Sequence, residues 1–194
     1  MPHHHETHSH RHGEAIEGRH SRHYNRLARL LMKPQYRRIA ADIASSAPHG
    51  ATVLDIGTGP GLLLRSLATT RPDLRLTGID LAQDMIDHAS NNLADLRVDL
   101  RAADVANLPF EDDTFDLVVT TYSSHHWGDP ATAATEIRRV LRLEGRLLNY
   151  DFERAPFKSL ETALPQTSRT KFRAPWSLVM KTIRFEARSP MIEQ

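Results

Sequence analysis

Four stretches of the chain carry residues whose types and spacing suit a single ligand. Asp55-Ile56-Gly57-Thr58-Gly59-Pro60-Gly61 follows a short apolar run, and Asp80 follows a second. Asp104-Val105 follows a third, and Thr121-Tyr122-Ser123-Ser124-His125-His126-Trp127 a fourth. Gly57, Gly59 and Gly61 let the backbone approach a ligand closely, because no Cβ intervenes and positive φ is allowed. A helix starting at that loop turns its unpaired N–H groups on the ligand. A carboxylate at Asp80 accepts from both hydroxyls of a ribose. Asp104 accepts from an exocyclic amine, and the Val105 N–H donates to a ring nitrogen. Such a set holds an adenosine by sugar and base. His125 and His126 titrate in the range useful to a general base.

The spacing separates this site from a dinucleotide site. Nicotinamide dinucleotides are held by G-x-G-x-x-G with an acid about 20 residues further on. Here the glycines run G-x-G-x-G, with Pro60 between the last two, and Asp55 precedes the turn. A pyrophosphate is repelled by an anion at Asp55, whereas an ammonium group is attracted. The ligand expected is a nucleoside with a cationic tail.

The elements that must position these residues alternate in type. Ala51–Ile56, Leu74–Ile79, Leu96–Ala102, Phe115–Thr120 and Gly145–Phe152 read as strands. Leu62–Thr69 and Gln83–Leu93 read as helices, the latter with Met85, Ile86 and Ala89 on one face. Asp129-Pro130 reads as N-cap and first residue of a helix to about Leu141. Strands separated by helices imply βαβ units, a parallel sheet covered on both faces and a doubly wound α/β fold. Ligands of such sheets sit beyond the carboxyl ends of the strands. Upstream, Tyr24, Leu27 and Leu31, then Tyr36, Ile39, Ala40 and Ile43, predict two short helices, or one helix kinked at Pro34, over residues 21–46. Downstream, Phe157–Leu164 reads as a helix, and Thr170–Phe172 and Val179–Ala187 as strands.

The organisation expected is a disordered His-rich tail over residues 1–20 and a single domain over 21–194. That domain comprises N-terminal helices (21–49), a binding core (50–153) and a C-terminal helix with a β-pair (154–194). Six of the first twelve residues are His, but a mobile tail has no fixed geometry for a metal, and no metal is assigned to the site. The 194 residues, 40% hydrophobic, suffice for one core. The absence of Cys excludes disulfides and a Cys nucleophile. With no apolar span and no signal-type leader, the reading is a cytoplasmic protein. The net charge of +1 hides an asymmetry. Residues 1–38 and 154–194 each carry eight Lys/Arg against three Asp/Glu, while residues 39–153 carry nine against eighteen. The flanks are either ordinary solvated charge or a basic surface over the substrate side, which favours an anionic acceptor.

Taken as a set, the motifs resemble the class I S-adenosylmethionine (SAM)-dependent methyltransferases. Val53-Leu54-Asp55-Ile56-Gly57-Thr58-Gly59-Pro60-Gly61 resembles their first motif, and Thr77-Gly78-Ile79-Asp80-Leu81-Ala82-Gln83-Asp84-Met85 the next. Asp104-Val105-Ala106-Asn107-Leu108-Pro109-Phe110 and Asp113-Thr114-Phe115-Asp116-Leu117-Val118-Val119 resemble the third and fourth. His125-His126-Trp127-Gly128-Asp129-Pro130 and Glu136-Ile137-Arg138-Arg139-Val140-Leu141 resemble the ubiquinone/menaquinone-methylase-like, type 11, branch. Many relatives have Pro-Gly-Gly before the fifth strand, where this chain has Leu143-Glu144-Gly145.

The resemblance implies a Rossmann-like, mostly parallel seven-stranded sheet of order 3-2-1-4-5-7-6 with strand 7 antiparallel. It implies that Gly57, Thr58, Gly59 and Gly61 hold the methionine part of SAM, with Asp55 near it. Asp80 takes the ribose, Leu81 and Met85 flank the adenine, and Asp104 and Val105 read its edge. Thr121 is grouped with the cofactor residues, and Tyr24 resembles aromatic residues that cover the cofactor. The function expected is methyl transfer by in-line displacement to a small-molecule acceptor, with His126 or His125 as base, His126 favoured. Nucleic-acid modules are absent, and the enzyme is expected as a monomer or homodimer. The competing readings are a SAM-binding protein without turnover, a dinucleotide-dependent oxidoreductase and a metal-handling protein run by the tail.

Overall fold

The computed structural model describes residues 19–173 and 181–189, with side chains from Met32 onward. The chain divides into two units, Met1–Met32 and Lys33–Gln194. The described part of the first is the N-terminal portion of helix α1 (Arg19–Ser46).

The second unit is built around a sheet of order β3-β2-β1-β4-β5-β7-β6 among the described residues. Its strands are β1 (Thr52–Ile56), β2 (Arg75–Asp80), β3 (Val98–Ala102), β4 (Phe115–Thr121), β5 (Leu141–Phe152), β6 (Gln166–Phe172) and β7 (Thr182–Arg188). Strands β1 to β5 pair in parallel, and β7 runs antiparallel to both β5 and β6. The order and the antiparallel seventh strand are those expected.

Strand alternation sends successive side chains to opposite faces of the sheet. Leu54, Ile56, Val118 and Leu147 pack on one face, with Ile137 and Val140 of α4 (Pro130–Val140) and Phe157 and Leu160 of α5 (Phe157–Ala163). Val53, Leu117, Val119 and Leu148 pack on the other. There they meet Ile39 and Ile43 of α1, Leu63, Leu64 and Leu67 of α2 (Leu62–Thr70) and Ala89 of α3 (Gln83–Asn92). Leu54, Val53, Ile137 and Leu67 are fully buried, so truncation of any to Ala costs about 2–5 kcal/mol.

Several boundaries depart from the sequence pattern for identifiable reasons. Pro34 does not break α1, which continues through it. Its C-terminal half is anchored to the sheet by polar contacts: the Tyr150 hydroxyl donates to Asp42 Oδ2 at 2.5 Å and Arg184 Nε to the same oxygen at 2.7 Å. Strand β5 begins at Leu141, earlier than expected, because a register shift separates the Phe115–Leu141 pair from Leu117–Arg146. Leu143-Glu144-Gly145 forms the kink, with Glu144 at φ 61°. A Cβ on Gly145 would stand 2.7 Å from the Arg142 carbonyl oxygen. Strand β6 begins at Gln166, earlier than its polar residues suggest, because pairing with β7 supplies what the apolar pattern lacks. Val179 and Met180, read as part of the last strand, lie outside the described residues. Asp129 caps α4, accepting from the Ala131 and Thr132 amides at 3.1 and 3.0 Å, with Pro130 in the first turn, as read.

Candidate active site

The carboxyl ends of β1 to β4 converge on a cleft of about 610 Å³. Gly57 and Gly59 line it, with Asp80, Leu81, Met85, Asp104, Val105 and His126 from the sequence-predicted set. Tyr122, Ser123 and Trp127 complete the wall on the β4 side.

The glycine loop has the backbone that its sequence requires. Gly57, Gly59 and Gly61 have φ of 71°, 52° and 78°, in the left-handed region. A Cβ on Gly57 would stand 1.9 Å from Ser123 Oγ, whereas one on Gly59 would meet nothing within 4 Å. Gly57 is therefore closed against the next loop, and Gly59 faces open space in the cleft. A Cβ on Gly61 would run into Leu93 at 2.7 Å, so this glycine serves packing against α3.

The acids occupy two depths. Asp80 Oδ2 accepts the Gly59 amide at 2.8 Å and Oδ1 the Ala82 amide at 3.1 Å. A carboxylate offers about four acceptor positions, so two remain for hydroxyls of a ligand. Asp104 Oδ1 accepts the Ala106 amide at 2.9 Å, which holds its carboxylate at the cleft. Asp55 lies deeper, only 1% exposed, and accepts from Thr58 Oγ1 at 2.8 Å. Burial pushes its carboxyl up to about 7; the Thr58 hydrogen bond opposes the shift and the nearby Asp80 adds to it. Tyr36 lies close enough to Asp55 that the carboxylate reinforces the effect of burial in raising the phenol. Leu81 is 75% exposed and borders the cleft, where its apolar side chain is free to meet a ligand.

Of the remaining predicted residues, Thr58, Gly61 and Thr121 lie outside the lining. Thr121 is buried, and its Oγ1 has no partner among the described residues. Tyr24 falls within α1, but its side chain lies outside the described residues. His126 is in the lining; His125 stands behind it, ring centroids 4.0 Å apart.

Two functional candidates were not singled out in the sequence. Tyr122 stands in the stretch after the fourth strand without a role of its own, yet it has φ 53°, a conformation that costs a bulky residue of order 1–3 kcal/mol and clusters at functional sites. Its hydroxyl accepts from Gln35 Nε2 at 2.5 Å and shares a 2.7 Å bond with Thr182 Oγ1. The second is Asp151, a fully buried carboxylate 2.7 Å from His125 Nδ1. The signal available for it was an acid in the apolar run ending strand 5, at the same sheet end as Asp55 and Asp80.

Comparison with known proteins gives the arrangement a family. A methyltransferase-domain family model, of type 11, matches residues 54–149. The chain belongs to the class I SAM-dependent methyltransferases. A demethylmenaquinone methyltransferase of Thermotoga maritima is 31% identical over 124 residues, covering 64% of this chain and 53% of that one. A malonyl-[acyl-carrier protein] O-methyltransferase of Geobacter sulfurreducens is 35% identical over 135 residues, covering 69% and 50%. A structure from Methanococcus maripaludis, assigned to the SAM-dependent methyltransferases, superposes with a TM-score of 0.74 at 22% identity, covering 96% of this chain and 99% of that one. The chain spans from a third to just over half the length of the first curated relatives it matches.

The methyltransferase family uses SAM, and the residues present fit that group. The open face of Gly59, the two acceptor positions left on Asp80 and the exposed Leu81 all border one cleft. No helix among the described residues is long and apolar enough to cross a membrane.

Proposed function

We propose that the chain binds SAM in this cleft and directs methyl transfer to a small-molecule acceptor entering beside His126 and Trp127. The observation that carries the reading is that Gly59, Asp80, Asp104 and His126, from four separate strand ends, line one cavity. SAM supplies a sulfonium-activated methyl group. Gly57, Thr58, Gly59 and Gly61 shape the loop for its amino-acid end, and Asp55 beneath that loop attracts the ammonium group. Asp80 takes the ribose hydroxyls, Leu81 and Met85 sandwich the base, and Asp104 and Val105 read its edge. Thr121 supports the end of β4. His125 or His126 removes a proton where the acceptor must lose one. Orientation and exclusion of water supply the remaining acceleration.

The quinone and acyl-carrier relatives support a small-molecule acceptor and leave carbon and oxygen nucleophiles both open. The unit Lys33–Gln194 holds all of the cleft lining, and the His-rich segment before Arg19 is an accessory. The protein is proposed to act in the cytoplasm as a monomer or homodimer.

The test is calorimetric titration of S-adenosylhomocysteine into the wild type and Asp80→Ala. Micromolar binding that collapses in the variant supports the reading; absence of binding to the folded wild type overturns it.

A further inference from the structure

The end of β5 carries a hydrogen-bond arrangement that neither cofactor binding nor packing requires. Asp151 is fully buried, and among the described residues its only cationic-type partner is His125. Its Oδ2 accepts from Ser124 Oγ at 2.6 Å and from the His125 amide at 3.2 Å. Its Oδ1 accepts from the Phe152 amide at 2.8 Å and lies 2.7 Å from His125 Nδ1. Asn149 Nδ2 donates to Ser124 Oγ at 2.8 Å, which directs the Ser124 proton onto Asp151.

The Ser124 hydroxyl and the His125 and Phe152 amides donate to this carboxyl, so both of its oxygens act as acceptors; the direction of the His125 Nδ1 contact follows the tautomer. With the carboxyl ionised, it has no proton to give and His125 Nδ1 is the donor. Neutral imidazole carries one proton; with it on Nδ1, Nε2 is bare and basic. The backbone bond from His125 N to the same carboxylate fixes the residue as well as its ring. The Phe152 ring, 5.0 Å away edge-on, and the His126 ring limit its rotation. His126, although it lines the cleft, has no carboxylate holding its ring among the described residues.

We infer that Asp151 is a positioning residue that holds His125 in the tautomer whose Nε2 accepts a proton, making His125, which packs behind the cleft-lining His126, the oriented base of the pair. The inference deepens the methyl-transfer reading and rests on it. In the step it serves, the acceptor's proton passes to His125 Nε2 as the acceptor's electron pair bonds to the methyl carbon. The carbon–sulfur bond breaks and its electron pair stays on sulfur. The imidazolium so formed faces the Asp151 carboxylate, and its proton then leaves to solvent. A triad carboxylate acts on its histidine in the same sense, by tautomer and orientation.

The test is nitrogen-15 NMR of the histidine rings in the whole chain, at a pH where they are neutral, with His125→Gln assigning the His125 signals. The expected wild-type spectrum has His125 protonated on Nδ1, with Nε2 at the position of a bare ring nitrogen. In Asp151→Asn the amide meets the Phe152 or His125 N–H with a donor, turns, and the proton moves toward Nε2. S-adenosylhomocysteine is titrated into both proteins as the control, and equal affinity shows that the cleft is intact. A wild-type His125 protonated on Nε2 overturns the proposal, and this result does not depend on the variant folding. So does an Asp151→Asn protein that binds S-adenosylhomocysteine and keeps the proton on Nδ1. Failure of the wild type to bind S-adenosylhomocysteine counts against the methyltransferase reading, and the tautomer is read separately from it.

Discussion

Asp80 Oδ2 accepts the amide of Gly59 at 2.8 Å, joining the end of β2 to the glycine loop of β1. One side chain thus has two tasks: it is the proposed anchor for the ribose, and it braces the loop that meets the rest of the ligand. Asp80→Ala is expected to lower affinity for S-adenosylhomocysteine by about 10–100-fold, the worth of hydrogen bonds to a charged group. Asp80→Asn also weakens binding, because its NH₂ must face either the Gly59 or the Ala82 N–H. Calorimetry on the three proteins, with thermal midpoints alongside, checks both statements.

Gly57 tolerates no side chain. Its φ of 71° costs an L-residue about 1–2 kcal/mol, and the Ser123 side chain already occupies the Cβ position. Gly57→Ala is expected to lose about 2–4 kcal/mol in denaturant unfolding, the sum of backbone strain and overpacking. Adding Ser123→Gly should recover the packing part alone. Full recovery in the double variant would show that the backbone conformation contributes nothing.

Asp55 makes stability depend on pH. Burial, with Asp80 nearby, raises its carboxyl to about 7, and Tyr36 faces the same group. Between its ordinary value near 4 and 7, the folded state holds a proton that the unfolded chain has lost. Its contribution therefore falls as pH rises, by up to about 1.4 kcal/mol per pH unit, and is flat above 7. Asp55→Asn, neutral throughout, should gain thermal stability relative to the wild type from pH 5 to 7 and hold that gain above. The same variant should bind S-adenosylhomocysteine less well above pH 7, where the wild-type carboxylate is charged. Wild-type binding should release protons near pH 7, measured as a heat that varies with buffer ionisation enthalpy.

The two histidines should separate kinetically. His125→Ala is expected to lower kcat by about 10²–10⁴-fold, the range of a lost general base, with S-adenosylhomocysteine affinity unchanged. His126→Ala should act mainly on the acceptor's KM, because its ring lines the cleft. The assay is radiolabelled methyl transfer from SAM to a turned-over acceptor. A kcat loss confined to His126→Ala would reverse the assignment.

The parts legible in the sequence share one property: they are set by local rules. The glycine spacing, the acids at Asp80 and Asp104 and the Asp129-Pro130 cap follow from backbone geometry and from what lies within a few residues. Asp151 and Tyr122 were not legible because their roles come from residues far along the chain. Asp151 matters through Ser124 and His125, and Tyr122 through Gln35 and Thr182. His126 drew attention by type and place, but the hydrogen bond that distinguishes the two histidines belongs to β5. The start of β5 at Leu141 was hidden likewise, since a register shift leaves no mark in hydrophobic periodicity.

The position of β7 bears on how the chain is made. This strand is the last among the described residues, yet it lies inside the sheet, between β5 and β6. A ribosome adds about 5–20 residues per second, so the parallel core from β1 to β5 can assemble while later residues are still being translated. Until Arg188 has cleared the exit tunnel, β5 presents an open backbone edge on the side that β7 will pair. For that interval the nascent chain leaves an unpaired strand edge open to whatever else is in the cell, and β7, paired with β6, acts as the closure that ends the exposure.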